Sequence, residues 1–136
     1  MSRLYVRIDL KEACYMETKQ DCLFCKIAHG EIPSKKVYED EYVYAFDDIN
    51  PLMPVHTLIV PKVHYDNIGD EVPNDLMGHI FNTVPKIAHL KGIEESGYRV
   101  MVNTGDDACQ SVHHLHVHVL GGGKMTEDSP AVTHNA

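Results

Sequence analysis

A chain of 136 residues, 43% hydrophobic and 24% charged, has the size and composition of one folded domain and is too short for two ordinary ones. Its 12 Lys and Arg against 20 Asp and Glu leave a formal charge of −8, and with no Lys/Arg cluster this argues against nucleic acid as a partner. No apolar run approaches the roughly 18 residues of a membrane span, and Arg3, Arg7, Asp9, Lys11 and Glu12 interrupt the start as a secretory signal, so a cytoplasmic chain without a membrane partner is expected.

In chain order, residues 1–20 pattern weakly and read as an extension, with Met16 a possible alternative start. The body runs over 21–125. It opens on Cys22-Leu23-Phe24-Cys25, whose C-x2-C spacing without an export signal favours a metal pair or reduced thiols over a disulfide. A short helix is expected over 25–30, ended by Gly30-Glu31-Ile32-Pro33. Strands are expected over 37–39 and 42–46, joined as a hairpin, and again over 56–60, where a β-branched run is stopped by Pro61. Between them, Asp48-Ile49-Asn50-Pro51 reads as a turn.

The main helix is expected over 74–91. Leu76, Met77, Ile80, Phe81, Val84, Ile87 and Ala88 recur at three- and four-residue steps, with Asn74 as cap, Gly92 as stop and Pro85 as an internal bend. Strands over 98–103 and 112–120 complete about five, and residues 126–136 form a polar tail. Strands in meander order with one principal helix give an α+β class.

Histidine is the unusual component: ten in this chain, where about three are ordinary. His114-Leu115-His116-Val117-His118-Val119-Leu120 alternates strictly, so on an extended backbone the three imidazoles share one side and the apolar residues the other. Such a row can meet an anion, and imidazole serves near neutral pH as nucleophile, base or ligand. A solvated histidine face on an amphipathic strand is the plainer alternative. His113 falls on the opposite side, where packing is expected.

The stretch Gln110-Ser111-Val112-His113-His114-Leu115-His116-Val117-His118-Val119-Leu120-Gly121-Gly122 resembles the signature of the histidine triad (HIT) nucleotide-binding proteins. The Gln-Ser-Val lead and Leu-Gly-Gly exit resemble the HINT branch, the purine nucleoside phosphoramidases. The resemblance extends over 21–125 through Cys-Leu-Phe-Cys-Lys-Ile, Gly-Glu-Ile-Pro, Phe46-Asp47-Asp48-Ile49-Asn50-Pro51 and the segment from Pro54 to His64. It implies the histidine triad fold: an antiparallel sheet of about five strands, one main helix and a short N-terminal helix, with the sheet continued across a homodimer. The dimer contacts would come from 74–91 and 98–103.

The same resemblance implies roles. His116 would attack phosphorus and carry the nucleotide, His118 and His56 would hold phosphate oxygens, and Ser111 would bond near the leaving group. Asp48 would take the ribose hydroxyls and Asn103 the phosphate or sugar, while Phe24, Ile27, Phe46 and Ile49 would wall the base. Each has a plainer alternative: His56 a core histidine, Asp48 a turn cap, Asn103 a turn former. By similarity to zinc-bearing relatives, Cys22, Cys25, His64 and His114 would form a structural zinc site, the alternative being buried thiols. Cys14 and Cys109 are not expected as ligands. No redox cofactor is implied.

The expected activity is hydrolysis of the P–N bond of purine nucleoside 5′-phosphoramidates. Its rivals are dinucleoside polyphosphate cleavage of the Fhit type and a non-catalytic nucleotide-binding or scaffold module. This chain lacks Trp and does not end in the aromatic-bearing tail frequent in animal relatives, so leaving-group preference stays open.

Overall fold

The computed structural model describes residues 21–128. The expected extension with Cys14, and most of the expected tail, lie outside that range. The elements are α1 (Leu23–Ala28), β1 (Lys36–Glu39), β2 (Val43–Asp47), β3 (Val55–Pro61), α2 (Asn74–Leu90), β4 (Tyr98–Met101) and β5 (Val117–Gly121), with a 3-10 turn at Asp106–Ala108. The five strands form one antiparallel sheet in the order β1-β2-β3-β5-β4.

Alternation along the strands builds a core on each face. Val43, Ala45, Ile59, Leu115, Val117 and Val119 meet Leu76, Ile80, Val84 and Ile87 of α2. On the other face Tyr44, Phe46, Leu58 and Val60 meet Phe24, Cys25, Ile27 and Ala28 of α1. His56 precedes Leu58 and Val60 by whole alternations, and His116 and His118 alternate with Val117, so these imidazoles fall on the α1 face.

Local chemistry fixes the ends. The hairpin between β1 and β2 closes on Asp40, whose Oδ1 accepts from the backbone N–H groups of Tyr42 (2.8 Å) and Val43 (3.0 Å). The Leu-Gly-Gly exit from β5 is a packing requirement. A Cβ on Gly121 would stand 2.8 Å from Ile93 Cδ1 and 3.1 Å from the Gly97 carbonyl, and Gly122 has φ +84.

Several expectations are corrected at element ends. Helix α1 begins at Leu23 rather than 25 because the Cys22 side chain accepts from Cys25 N–H and caps it. Helix α2 takes Pro73 as N-cap with no side-chain cap bond, so Asn74 is its first residue rather than its cap. Phe81 is 37% exposed, outside the buried stripe, and Thr83 is buried there instead. The helix runs through Pro85, which sits on its exposed side. Strand β4 ends at Met101, short of Asn103, and β5 begins at Val117, not Val112. Residues 112–116 are held otherwise: Leu115 N–H donates to the Tyr65 carbonyl at 2.7 Å. His113 is exposed rather than packed. Among the described residues no helix is long and apolar enough to cross a membrane.

Candidate functional site

Two clusters of imidazole lie side by side on the α1 face. The first is a set of metal-ligating donors: Cys22, Cys25, His64 and His114 each present one atom, all within 4.8 Å of one another. Cys22 and Cys25 come from the start of α1, His64 from the segment after β3, and His114 from the approach to β5.

The protonation of both imidazoles follows from their outer partners. His114 Nε2 lies 2.9 Å from the Pro61 carbonyl and must donate to it, leaving the Nδ1 lone pair 3.3 Å from Cys22 Sγ and 3.4 Å from Cys25 Sγ. His64 Nε2 donates to Asp66 Oδ1 at 2.7 Å, and its Nδ1 faces Cys25 Sγ at 3.3 Å. A zinc tetrahedron with about 2.3 Å Zn–S and 2.0–2.1 Å Zn–N bonds has N···S edges of about 3.5 Å. The donor set fits it, and each ligand histidine is backed by an acceptor in the manner of metal-bound imidazole. Cys22 is biased towards the ligating form: the hydrogen bond with Cys25, opposed by burial and helped by His114, holds its thiol down to about 2. Cys109 lies apart and exposed.

The second cluster is His56, His116 and His118, all buried. The rings of His116 and His118 are 5.0 Å apart, and those of His56 and His118 5.2 Å. His116 Nδ1 donates to the carbonyl of His114 at 2.6 Å, so its Nε2 carries the free lone pair. The Phe24 ring stands nearly perpendicular to the His116 ring, with centroids 5.0 Å apart, and packs against it from the α1 side. His56 Nε2 and His118 Nδ1 share a hydrogen bond of 2.9 Å, and His56 Nδ1 accepts from Leu52 N–H at 3.2 Å.

Burial holds these imidazoles neutral. It lowers His116 below the usual histidine value. Burial, with His116 and His56 nearby, pushes His118 down to about 3. Burial also lowers His56, against the pull of Asp48 and Asp47. Among the described residues, two buried side-chain polar atoms lack any partner: His118 Nε2 and Asn103 Nδ2. A buried polar atom of this kind can be satisfied by a bound group or by water.

The remaining expected residues are distributed as follows. Asp48 Oδ1 accepts from Asn50 N–H at 2.8 Å, the turn-capping role, while Oδ2 points to His56 Nε2 at 3.6 Å. Ile49 is 86% exposed beside it. Phe24, Ile27 and Phe46 are buried in the α1-face core, with Phe24 edge-on to Phe46 at 5.5 Å. Asn103 follows β4, two residues past the Met101–His118 pair. Ser111 is exposed on the loop before His114. Gln110 anchors that loop: its side chain donates to the Asp66 and Val112 carbonyls (2.7 and 3.1 Å) and accepts from Gly105 N–H (2.9 Å). Asp66 and the carbonyls of Pro61 and His114 were not foreseen. Asp66 had a signal in its spacing, two residues after His64, whereas a carbonyl leaves none.

Comparison with known proteins agrees with this geometry. Residues 29–125 match the family model of the HIT domain. A 14 kDa zinc-binding protein of Zea mays is 47% identical over 107 residues, covering 76% of this chain and 83% of its own. Adenylylsulfatase HINT1 of Arabidopsis thaliana is 42% identical over 121 residues, covering 85% and 82%. Among solved structures, a histidine triad protein from Clostridium difficile superimposes with a TM-score of 0.77 at 50% identity, covering 82% of this chain and 99% of that one.

Proposed function

The chain belongs to the HIT-domain family, and from that premise we propose that it is a nucleotide-binding hydrolase acting on purine nucleoside 5′-phosphoramidates through a nucleotidyl-histidine at His116. The observation that carries this reading is the pairing of His116 with its neighbours. Its Nδ1–H is spent on the His114 carbonyl at 2.6 Å, so the nucleophilic lone pair belongs to Nε2, on a ring 5.0 Å from that of His118, whose own Nε2 is buried and without a partner.

In the first step His116 Nε2 bonds to phosphorus and the P–N bond breaks. The amine leaves with the electron pair and takes up a proton from solvent. In the second step water attacks the same phosphorus and gives up a proton to solvent, the P–Nε2 bond breaks with its electron pair returning to the imidazole, and the nucleoside monophosphate departs. A neutral imidazole can attack without first losing a proton, which suits a group that burial keeps neutral. Charge developing on the non-bridging oxygens is met by His118 Nε2–H and the Asn103 amide. Asp48 Oδ2 is available to a ribose hydroxyl, since only Oδ1 is taken by the turn. Ser111 serves the leaving group, and Ile49 with Phe46 and Ile27 walls the base. His56 acts on the phosphate through His118.

Zinc held by Cys22, Cys25, His64 and His114 is structural in this reading. It ties α1 to the triad segment and supplies no step of the reaction. The exposed Tyr98 and Val100 on the edge strand β4 support a homodimer in which the sheet continues into a second copy.

Adenosine 5′-phosphoramidate turnover by wild type beside His116→Ala tests the proposal. Amine and AMP release by wild type alone is expected; equal release by both discards the mechanism. The Arabidopsis relative's name makes adenylyl sulfate the second substrate to assay. It has the same α-phosphorus and a different leaving group, so comparing the two rates ranks them.

A further inference from the structure

We propose that the backbone N–H of Leu52 is the positioning group that fixes which nitrogen of His118 carries the proton, acting through His56. The chain of contacts runs in one direction. Leu52 N–H can only donate, and it meets His56 Nδ1 at 3.2 Å, so that nitrogen is an acceptor. A neutral His56 therefore carries its proton on Nε2. That proton lies in the 2.9 Å contact with His118, so His118 Nδ1 accepts and Nε2 is the protonated nitrogen. His118 Nε2 is the buried atom with no partner. The open end of the chain is thus a donor, the kind of atom that a phosphoryl oxygen needs.

The reverse arrangement fails at both ends. It would set His56 Nδ1–H against Leu52 N–H, and it would turn a lone pair of His118 towards an anion. Asp48 reinforces the same direction, because its Oδ2 at 3.6 Å favours a proton on His56 Nε2. All three imidazoles of this cluster are buried, so water cannot readily repair a wrong tautomer. The sequence hides this device. Leu52 contributes its amide, and the residue before it, Pro51, could not have done so.

The assignment of His118 as phosphate donor rests on the hydrolase reading above, but the tautomer does not, and the test separates them. Two-bond nitrogen–proton correlation of the 15N-labelled protein at neutral pH, without nucleotide, reports the tautomer of each imidazole. His56 and His118 are expected as Nε2–H and His116 as Nδ1–H. His118 found as Nδ1–H, or charged, overturns the inference whether or not the protein turns over a phosphoramidate. Leu52→Pro removes the amide proton donor and also fixes the local backbone, whereas Leu52→Ala keeps the amide and shares the loss of the leucine side chain. The proline variant is expected to show His118 as a mixture of tautomers, with kcat roughly tenfold below that of the alanine variant and a similar KM. A folded proline variant whose His118 keeps the wild-type tautomer refutes the role of Leu52. If the proline variant does not fold, the wild-type spectrum still decides the tautomer, and Nδ1–H on His118 still refutes the inference.

Discussion

Substituting His118 by Asn should flatten the acid limb of the stability curve. Asn cannot titrate, and its Oδ1 can accept the proton that His56 offers at 2.9 Å in the native pair. His118 is 2% exposed, and its pKa falls from 6.5 to about 3 through burial first and the neighbouring His116 and His56 second. The folded state therefore resists a proton that the unfolded state accepts. Stability from this group is fully present above pH 6.5 and is lost as the pH falls from 6.5 towards about 3. At about 1.4 kcal/mol per pH unit, wild type should lose about 2 kcal/mol at pH 5 and about 3 kcal/mol at pH 4 on account of this one side chain. Urea unfolding at pH 7, 6, 5 and 4 on both proteins reads the difference, with other acid-labile groups common to the two. Parallel curves would show that His118 is not a buried neutral imidazole and would remove the basis for treating it as a donor.

Three further outcomes follow from the packing and the donor set. Phe24→Ala deletes the ring that packs nearly perpendicular to His116, centroids 5.0 Å apart, and should cost about 3–5 kcal/mol in chemical denaturation, with a fall in kcat larger than any change in KM. Metal analysis of protein prepared without chelator should find one zinc per chain, and Cys25→Ser should lose it together with several degrees of Tm; wild type without metal and with an unchanged Tm after chelation would refute the site. Ile49→Ala, at a side chain 86% exposed beside Asp48, should raise KM for a purine nucleotide substrate with kcat nearly unchanged and with no loss of stability.

The architecture was legible because alternation and three-to-four spacing are properties of the residues themselves. His114, His116 and His118 fall on one side and Leu115, Val117 and Val119 on the other, as the sequence pattern requires. The Cys22, Cys25, His64 and His114 set does converge, although its membership came from resemblance and not from spacing alone. Strand ends were less legible. Residues 112–116 have the composition of a strand, yet the Tyr65 carbonyl takes the Leu115 amide and Gln110 holds the Val112 carbonyl, so pairing with the sheet starts only at Val117. Phe81 shows the limit of periodicity, since α2 turns Thr83 inward and leaves that ring partly in solvent. Protonation states were invisible, because those of His116, His114 and His56 are set by two carbonyls and one amide, groups that every residue possesses.

The most direct test is to quench wild-type protein during turnover of adenosine 5′-phosphoramidate and sequence the modified peptide by mass spectrometry. An adenylyl group on the imidazole of His116 is the predicted result. Turnover that persists with the adduct on another residue, or turnover undiminished in His116→Ala, would contradict the assignment of the nucleophile.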